Sequence, residues 1–130
     1  DIEHHLLRPL YKDPRLHFAL NCASVGCPPL QNQAWAAATI DAQLEAATLA
    51  ALSMPRHAEL RADGLHVTKL MDWYGDDFSR AGWSPVAESI PAWVAAHGPP
   101  PLSQAISAAG GQPDVHFADY DWALNQLSAP

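Results

Sequence analysis

Few residues of this 130-residue chain carry charge: Asp, Glu, Lys and Arg make up 16%, and only seven are basic. Those seven are scattered and the formal net charge is −7, which argues against nucleic acid and anionic membrane surfaces as partners, since both select a clustered basic face. No apolar run approaches the roughly 20 residues of a membrane span, so membrane insertion is not expected. Internal repeats, low-complexity tracts and a convincing linker are also missing. The first residue is Asp1, with no initiator Met, basic n-region or apolar h-region after it, and the chain is therefore expected to be a fragment or a processed product. Cysteine occurs twice, as Cys22 and Cys27. They enclose a loop short enough for a disulfide if their Cβ atoms come within about 4 Å, and they fit free thiols equally well.

What is present is a 48% hydrophobic composition, enough for a globular chain. The length fits one domain, residues 1–130, burying about two thirds of its unfolded surface. Chemistry concentrates in Leu16 to Pro29, where a histidine, both cysteines and a turn fall together. Leu16, Phe18 and Leu20 alternate with His17, Ala19 and Asn21, which predicts a half-buried strand. Ala23, Ser24 and Gly26 followed by Cys27-Pro28-Pro29 predict a turn, because proline cannot donate to a ladder.

Before that stretch, Asp1 to Tyr11 predicts a short helix, with Asp1 as cap, an apolar stripe of Ile2, Leu6, Leu7 and Leu10, and Pro9 limiting its length. His4 and His5 are adjacent, point different ways on a helix and make a poor metal pair. Lys12-Asp13-Pro14-Arg15 reads as a turn. Ala36 to Leu52 is the clearest helix, opened near Thr39 or Asp41, with Ile40, Leu44, Ala47 and Ala51 at helical spacing and Leu49 and Leu52 widening the face. Arg56 to Gly64 is a polar connection closed by Asp63-Gly64, leading through a hairpin or loop into a strand at Leu65 to Leu70. Met71 to Phe78 predicts a helical turn with Trp73, Tyr74 and Phe78 in the core. Asp72, Asp76 and Asp77 read as a solvated face. Ser84-Pro85 predicts a helix start followed by Val86, Ile90, Trp93, Val94 and His97, with Pro91 kinking it. Leu102 to Ala109 predicts a short helix, and Val115-His116-Phe117 a last strand.

Asp-Ile-Glu-His at 1–4, Leu-Arg-Pro at 7–9, Asp-Pro-Arg-Leu-His-Phe-Ala-Leu-Asn-Cys-Ala-Ser at 13–24, Gly-Cys-Pro-Pro-Leu at 26–30 and Tyr-Asp-Trp-Ala-Leu-Asn at 120–125 resemble the domain of unknown function 547 family. That family is grouped with papain-like and transglutaminase-like cysteine-peptidase folds. The resemblance implies an α+β domain, helices packed on a small antiparallel sheet, without a known activity. Family members carry a further helix with a Trp-Leu-Asn-Ala-Tyr-Asn-like motif before the Asp-Ile-Glu-His segment; the resemblance therefore implies the C-terminal portion of a larger family domain, lacking its N-terminal helix.

The candidate chemistry is that of a thiol-dependent hydrolase or acyltransferase acting on amide or peptide bonds. Cys22 is the nucleophile, His17 its base, and Asn21, Asp119 or Asp121 orients the imidazole. The backbone amides of Ala23 to Gly26 are candidates for oxyanion stabilisation. Strand parity opposes this, because residues five apart point to opposite faces, and Cys27 is the other candidate thiol. The alternatives are a catalytically inactive module that binds a peptide or protein through Cys27, Ser24, Tyr120 and Trp122, and a structural role with Cys22 as a buried small hydrophobe. Asp119-Tyr120-Asp121-Trp122 places two carboxylates among aromatics, either capping the next turn or reaching the histidine. His17, Cys22 and Cys27 fit no strong zinc signature, so neither a metal nor another cofactor is expected.

Overall fold

The computed structural model describes residues 2–126, so the capping role expected of Asp1 lies outside the described residues. A π-helical turn, Glu3–Leu7, runs into α1 (Arg8–Tyr11), which Lys12 ends in a left-handed conformation at φ 50°. Pro9 stands where the π-helical turn passes into α1 and has no N–H to donate back into that turn.

The expected strand at Leu16 to Asn21 is instead a helical turn, α2 (Leu16–Ala19). Asp13-Pro14 is the reason. Asp13 Oδ1 accepts the Arg15 N–H at 2.9 Å, and the amides of Leu16, His17 and Phe18 reach back three residues to the carbonyls of Asp13, Pro14 and Arg15. An acidic residue before proline opens a helix as readily as a turn. Arg15 then fastens this corner to the next helix, with Nη2 2.7 Å from Asp13 Oδ2 and 2.7 Å from Asp41 Oδ1.

α3 (Ile40–Leu52) follows a 3-10 turn at Ala37–Thr39 and buries Leu44, Ala47, Thr48, Ala51 and Leu52. That spacing keeps one face on the core. Gln43 supports its start: Oε1 accepts the Ala36 N–H at 2.9 Å and Nε2 donates to the Ala34 carbonyl at 2.9 Å.

β1 (Ala58–Arg61) lies inside the segment expected to be connection and pairs antiparallel with β2 (Gly64–Val67), forming the hairpin. The strand expected to reach Leu70 stops at Val67, and α4 (Leu70–Trp73) and a 3-10 turn at Gly75–Phe78 follow. Ser84-Pro85 opens no helix. Ser89 does, its side chain accepting the Ala92 N–H at 3.2 Å ahead of α5 (Ile90–His97). Pro91 thus falls in a first turn, where proline is tolerated, and does not divide the element. α6 (Pro100–Ala108) likewise uses prolines to begin.

β3 (Val115–Phe117) joins β2 in parallel, with His66 opposite His116. Among the described residues the protein is an α+β fold of six α-helices with a small three-stranded sheet. The sheet is mixed where an antiparallel one was expected, because α4 to α6 supply the crossover that a parallel pair needs. Gly64, at φ 139°, lets β3 approach: a Cβ there would collide with the Asp114 carbonyl.

The core joins α2, α3, the sheet and α5 through Phe18, Leu52, Leu65, Met71, Phe78 and Trp93. Phe18 stacks on Trp93 with ring centroids 5.8 Å apart, and Phe78 meets Trp93 edge-on at 4.8 Å. Phe78 is core as expected, but Trp73 is 44% exposed. Ile2, Leu6 and Leu10 form an exposed stripe. Among the described residues no helix is long and apolar enough to cross a membrane.

Candidate functional site

After α2 the chain turns extended at Leu20, with ψ 145°, and then folds sharply. Asn21 staples the turn from both ends: Oδ1 accepts the Ala23 N–H at 2.8 Å and Nδ2 donates to the Pro28 carbonyl at 2.8 Å. Ala23 adopts φ 62°, a left-handed conformation that costs an alanine about 1 kcal/mol or more. The turn brings the two sulfurs together. Cys22 Sγ is 3.0 Å from Cys27 Sγ, and the Cys22 N–H donates to Cys27 Sγ at 2.9 Å. Both are free thiols, Cys22 exposed and Cys27 buried.

The segment 120–125 closes over this turn as an antiparallel strand-like strip. Val25 N–H donates to the Ala123 carbonyl, Gly26 N–H to Asp121 and Asn125 N–H to Ala23, all within 2.9 Å. Gly26 permits that approach, since a Cβ there would stand 3.0 Å from the Asp121 nitrogen. The strip delivers Tyr120, whose hydroxyl is 3.1 Å from Cys22 Sγ and 2.8 Å from Ser24 Oγ; Ser24 Oγ is itself 3.0 Å from Cys22 Sγ.

Partial burial raises the Cys22 thiol, but hydrogen bonds from Cys27, Ser24 and Tyr120 outweigh it and bring its pKa down to about 7. Cys27 moves the other way, raised by burial and then by its bond to Cys22. Burial and the Cys22 contact also push the Tyr120 phenol up, so it keeps its proton and donates.

Cys22, Cys27 and His17 line one open cleft of about 220 Å³, walled by Trp73, Tyr120 and Trp122. The three aromatic rings lie between 4.6 and 5.8 Å of one another by centroid, and Trp122 is 70% exposed. A neighbouring cleft of about 140 Å³ takes Asp119 with Arg56 and Lys69 and has no thiol.

His17 shares the cleft but its nitrogens face elsewhere. Nε2 hydrogen bonds Asp77 Oδ2 at 2.9 Å, and Nδ1 faces Glu3 Oε1 at 3.5 Å, an ion-pair separation. Its ring stacks on Tyr74 at 4.2 Å. The orienting carboxylate is therefore Asp77; Asn21 holds the turn, and Asp121 Oδ1 caps the Ala123 N–H at 2.9 Å. Asp77 also corrects the solvated acidic face: it is fully buried, and Arg8 Nη2 meets its Oδ2 at 2.7 Å. The His17 imidazole holds the Glu3 carboxyl below the usual range against its partial burial. Sequence reasoning missed Asp77, Glu3 and Arg8. The signal that could have found them was Arg8 beside Pro9, a cation on a short helix without an acidic neighbour in its own turn.

Of the amides expected to form an oxyanion hole, those of Ala23, Val25 and Gly26 already donate to Asn21, Ala123 and Asp121, whereas the Ser24 backbone hydrogen bonds Cys22 beside the Ser24 and Tyr120 hydroxyls. Among the described residues Asp63, His66 and His116 stand close enough to share a metal ion, their candidate ligand atoms within 4.8 Å of one another, and they lie far from these thiols in sequence.

The class defined by this geometry is an α+β domain with two free cysteines at an aromatic-walled cleft. Residues 1–50 of the 130 are similar to the family described as Protein of unknown function, DUF547. The match contains His17, Cys22, Ser24 and Cys27, while Tyr120 and Trp122 lie beyond it. Comparison with curated proteins and with solved structures gave no match.

Proposed function

We propose that this chain is a thiol-dependent hydrolase or acyltransferase acting on amide or peptide bonds, of the papain-like and transglutaminase-like group, with Cys22 as nucleophile. One observation carries it: Cys27 Sγ, Ser24 Oγ and the Tyr120 hydroxyl all lie within 3.1 Å of the Cys22 sulfur at the mouth of the cleft. About half of a thiol with pKa near 7 is thiolate at neutral pH, and the thiolate is the attacking species. Attack on a carbonyl carbon gives a tetrahedral oxyanion, which the Ser24 and Tyr120 hydroxyls are placed to meet. The nitrogen takes a proton from solvent at the open cleft as the C–N bond breaks, and the amine leaves a thioester for water or a second amine to resolve. His17, held by Asp77, keeps the floor of the cleft in shape.

A p-nitrophenyl ester tests this: the expected result is a burst of nitrophenol, an acyl group mapped to Cys22, and loss of both in Cys22→Ser. A reaction with no burst, or one that persists in Cys22→Ser, overturns it. One observation favours the second reading, a catalytically inactive peptide- or protein-binding module: neither His17 nitrogen bonds to Cys22. It predicts saturable quenching of tryptophan fluorescence by a phenylalanine-rich peptide, abolished by Trp122→Ala and untouched by Cys22→Ser.

A further inference from the structure

We propose that Cys22 and Cys27 form a thiol–disulfide exchange couple in which Cys22 attacks a small disulfide admitted to the cleft and Cys27, its sulfur 3.0 Å away, resolves the product. This goes beyond acyl transfer and shares with it only the reading of Cys22 as nucleophile.

The placement of the two sulfurs is asymmetric in the way exchange requires. Cys22 is exposed, whereas Cys27 is 5% exposed, so an incoming disulfide meets Cys22 first. The sulfurs stand at a near-attack separation and need to close by only about 1 Å to bond. The turn that holds them is rigidified by both hydrogen bonds of Asn21. The Cys22 N–H donates to Cys27 Sγ, a contact that stabilises a developing Cys27 thiolate. Polar partners surround both sulfurs, including the Leu20 carbonyl 3.8 Å from Cys27 Sγ, which a pair serving only as apolar filler would not need. The opposed pKa directions agree: the attacking thiol is lowered and the resolving thiol raised.

The chemistry balances with the disulfide as oxidant. The Cys22 thiolate attacks one substrate sulfur, the substrate S–S bond breaks, and the released thiolate takes a proton from water. Cys27 then loses its proton to solvent and attacks Cys22 Sγ, breaking the mixed disulfide and expelling the second thiolate, which is protonated in turn. Counted from the dithiol, whose Cys22 proton passes to solvent before the attack, the chain loses two electrons and two protons, and the two product thiols hold the electrons with two protons drawn from water.

Oxidised glutathione added to the reduced full chain tests it, with acid quenching and mass analysis of the peptide that carries both cysteines. In the wild type a glutathione adduct on Cys22 should rise and convert to an internal disulfide. Cys27→Ser should stall at the adduct, and Cys22→Ser should react at least about tenfold more slowly. The acid-quenched wild-type time course decides the matter even if a variant fails to fold. An adduct that persists in the wild type, or Cys27 modified as fast as Cys22, overturns the proposal. A chain that never closes yet still acylates at Cys22 overturns exchange alone; a Cys22 inert to both reagents overturns both readings.

Discussion

Tyr120 does more for Cys22 than wall the cleft, because its hydroxyl reaches both the sulfur, at 3.1 Å, and Ser24 Oγ, at 2.8 Å. Tyr120→Phe and Ser24→Ala each remove a donor that lowers the thiol. The midpoint of iodoacetamide alkylation at Cys22 should therefore rise from about 7 toward the ordinary thiol value of about 8.5; an unchanged midpoint in both variants would show that the hydroxyls do not stabilise the thiolate. Asp77 matters for a different reason. Its carboxylate is fully buried against Arg8 and His17, and Asp77→Ala should lower stability by about 3–5 kcal/mol, read by urea unfolding, because it strands buried donors. At this scale the thiols are legible in the sequence because cysteine occurs only twice, Ser24 because it lies between them, and Tyr120 because it is one of three tyrosines and sits among carboxylates. Asp77 is not, because its acidic run resembles a solvated face and its burial depends on Arg8, 69 residues away.

The strip 120–125 and the turn it covers fit each other only because residue 26 has no side chain. Gly26→Ala places a methyl 3.0 Å from the Asp121 nitrogen and 3.1 Å from the Tyr120 ring, so the strip must move. The expected result is a higher Cys22 alkylation midpoint with the core unaffected. Gly75→Ala, where nothing lies within 4 Å of the added carbon, should leave Cys22 unchanged. α3 could be read directly from its apolar spacing over three turns, and the three-residue β3 from its β-branched and aromatic residues between breakers. α2 could not. Leu16 to Ala19 carries too few residues to separate a period of two from a period of 3.6, and the capping Asp13-Pro14 decided it. Once that segment is helical, the parity objection to placing His17 and Cys22 in one cleft no longer applies.

For the molecule as a whole, acid sensitivity should trace to His57. It is 1% exposed at the base of the hairpin, with Arg56 Nε donating to its Nε2 at 3.2 Å. Burial, and then the Arg56 charge, depress its pKa to about 4. The unfolded chain therefore binds the proton more tightly than the folded one. The stability that His57 contributes is fully present above about 6.5 and falls as pH drops toward 4, by at most about 1.4 kcal/mol per pH unit. Urea midpoints through that window should show this slope in the wild type and a flatter one in His57→Phe. A wild-type curve without the slope would mean that His57 is protonated in the fold.

The link between Cys22 and Tyr120 spans 98 residues of chain, and this has a kinetic consequence. Contacts of such separation carry a large loop-closure entropy and form once more local structure has reduced it. The hairpin and α3 assemble from near neighbours, whereas the strip can dock only after β3 is in place. Cys22 should thus behave as an ordinary thiol throughout most of refolding and acquire its reactivity at the end. A pulse of alkylating reagent at neutral pH during refolding would then time completion of the native state.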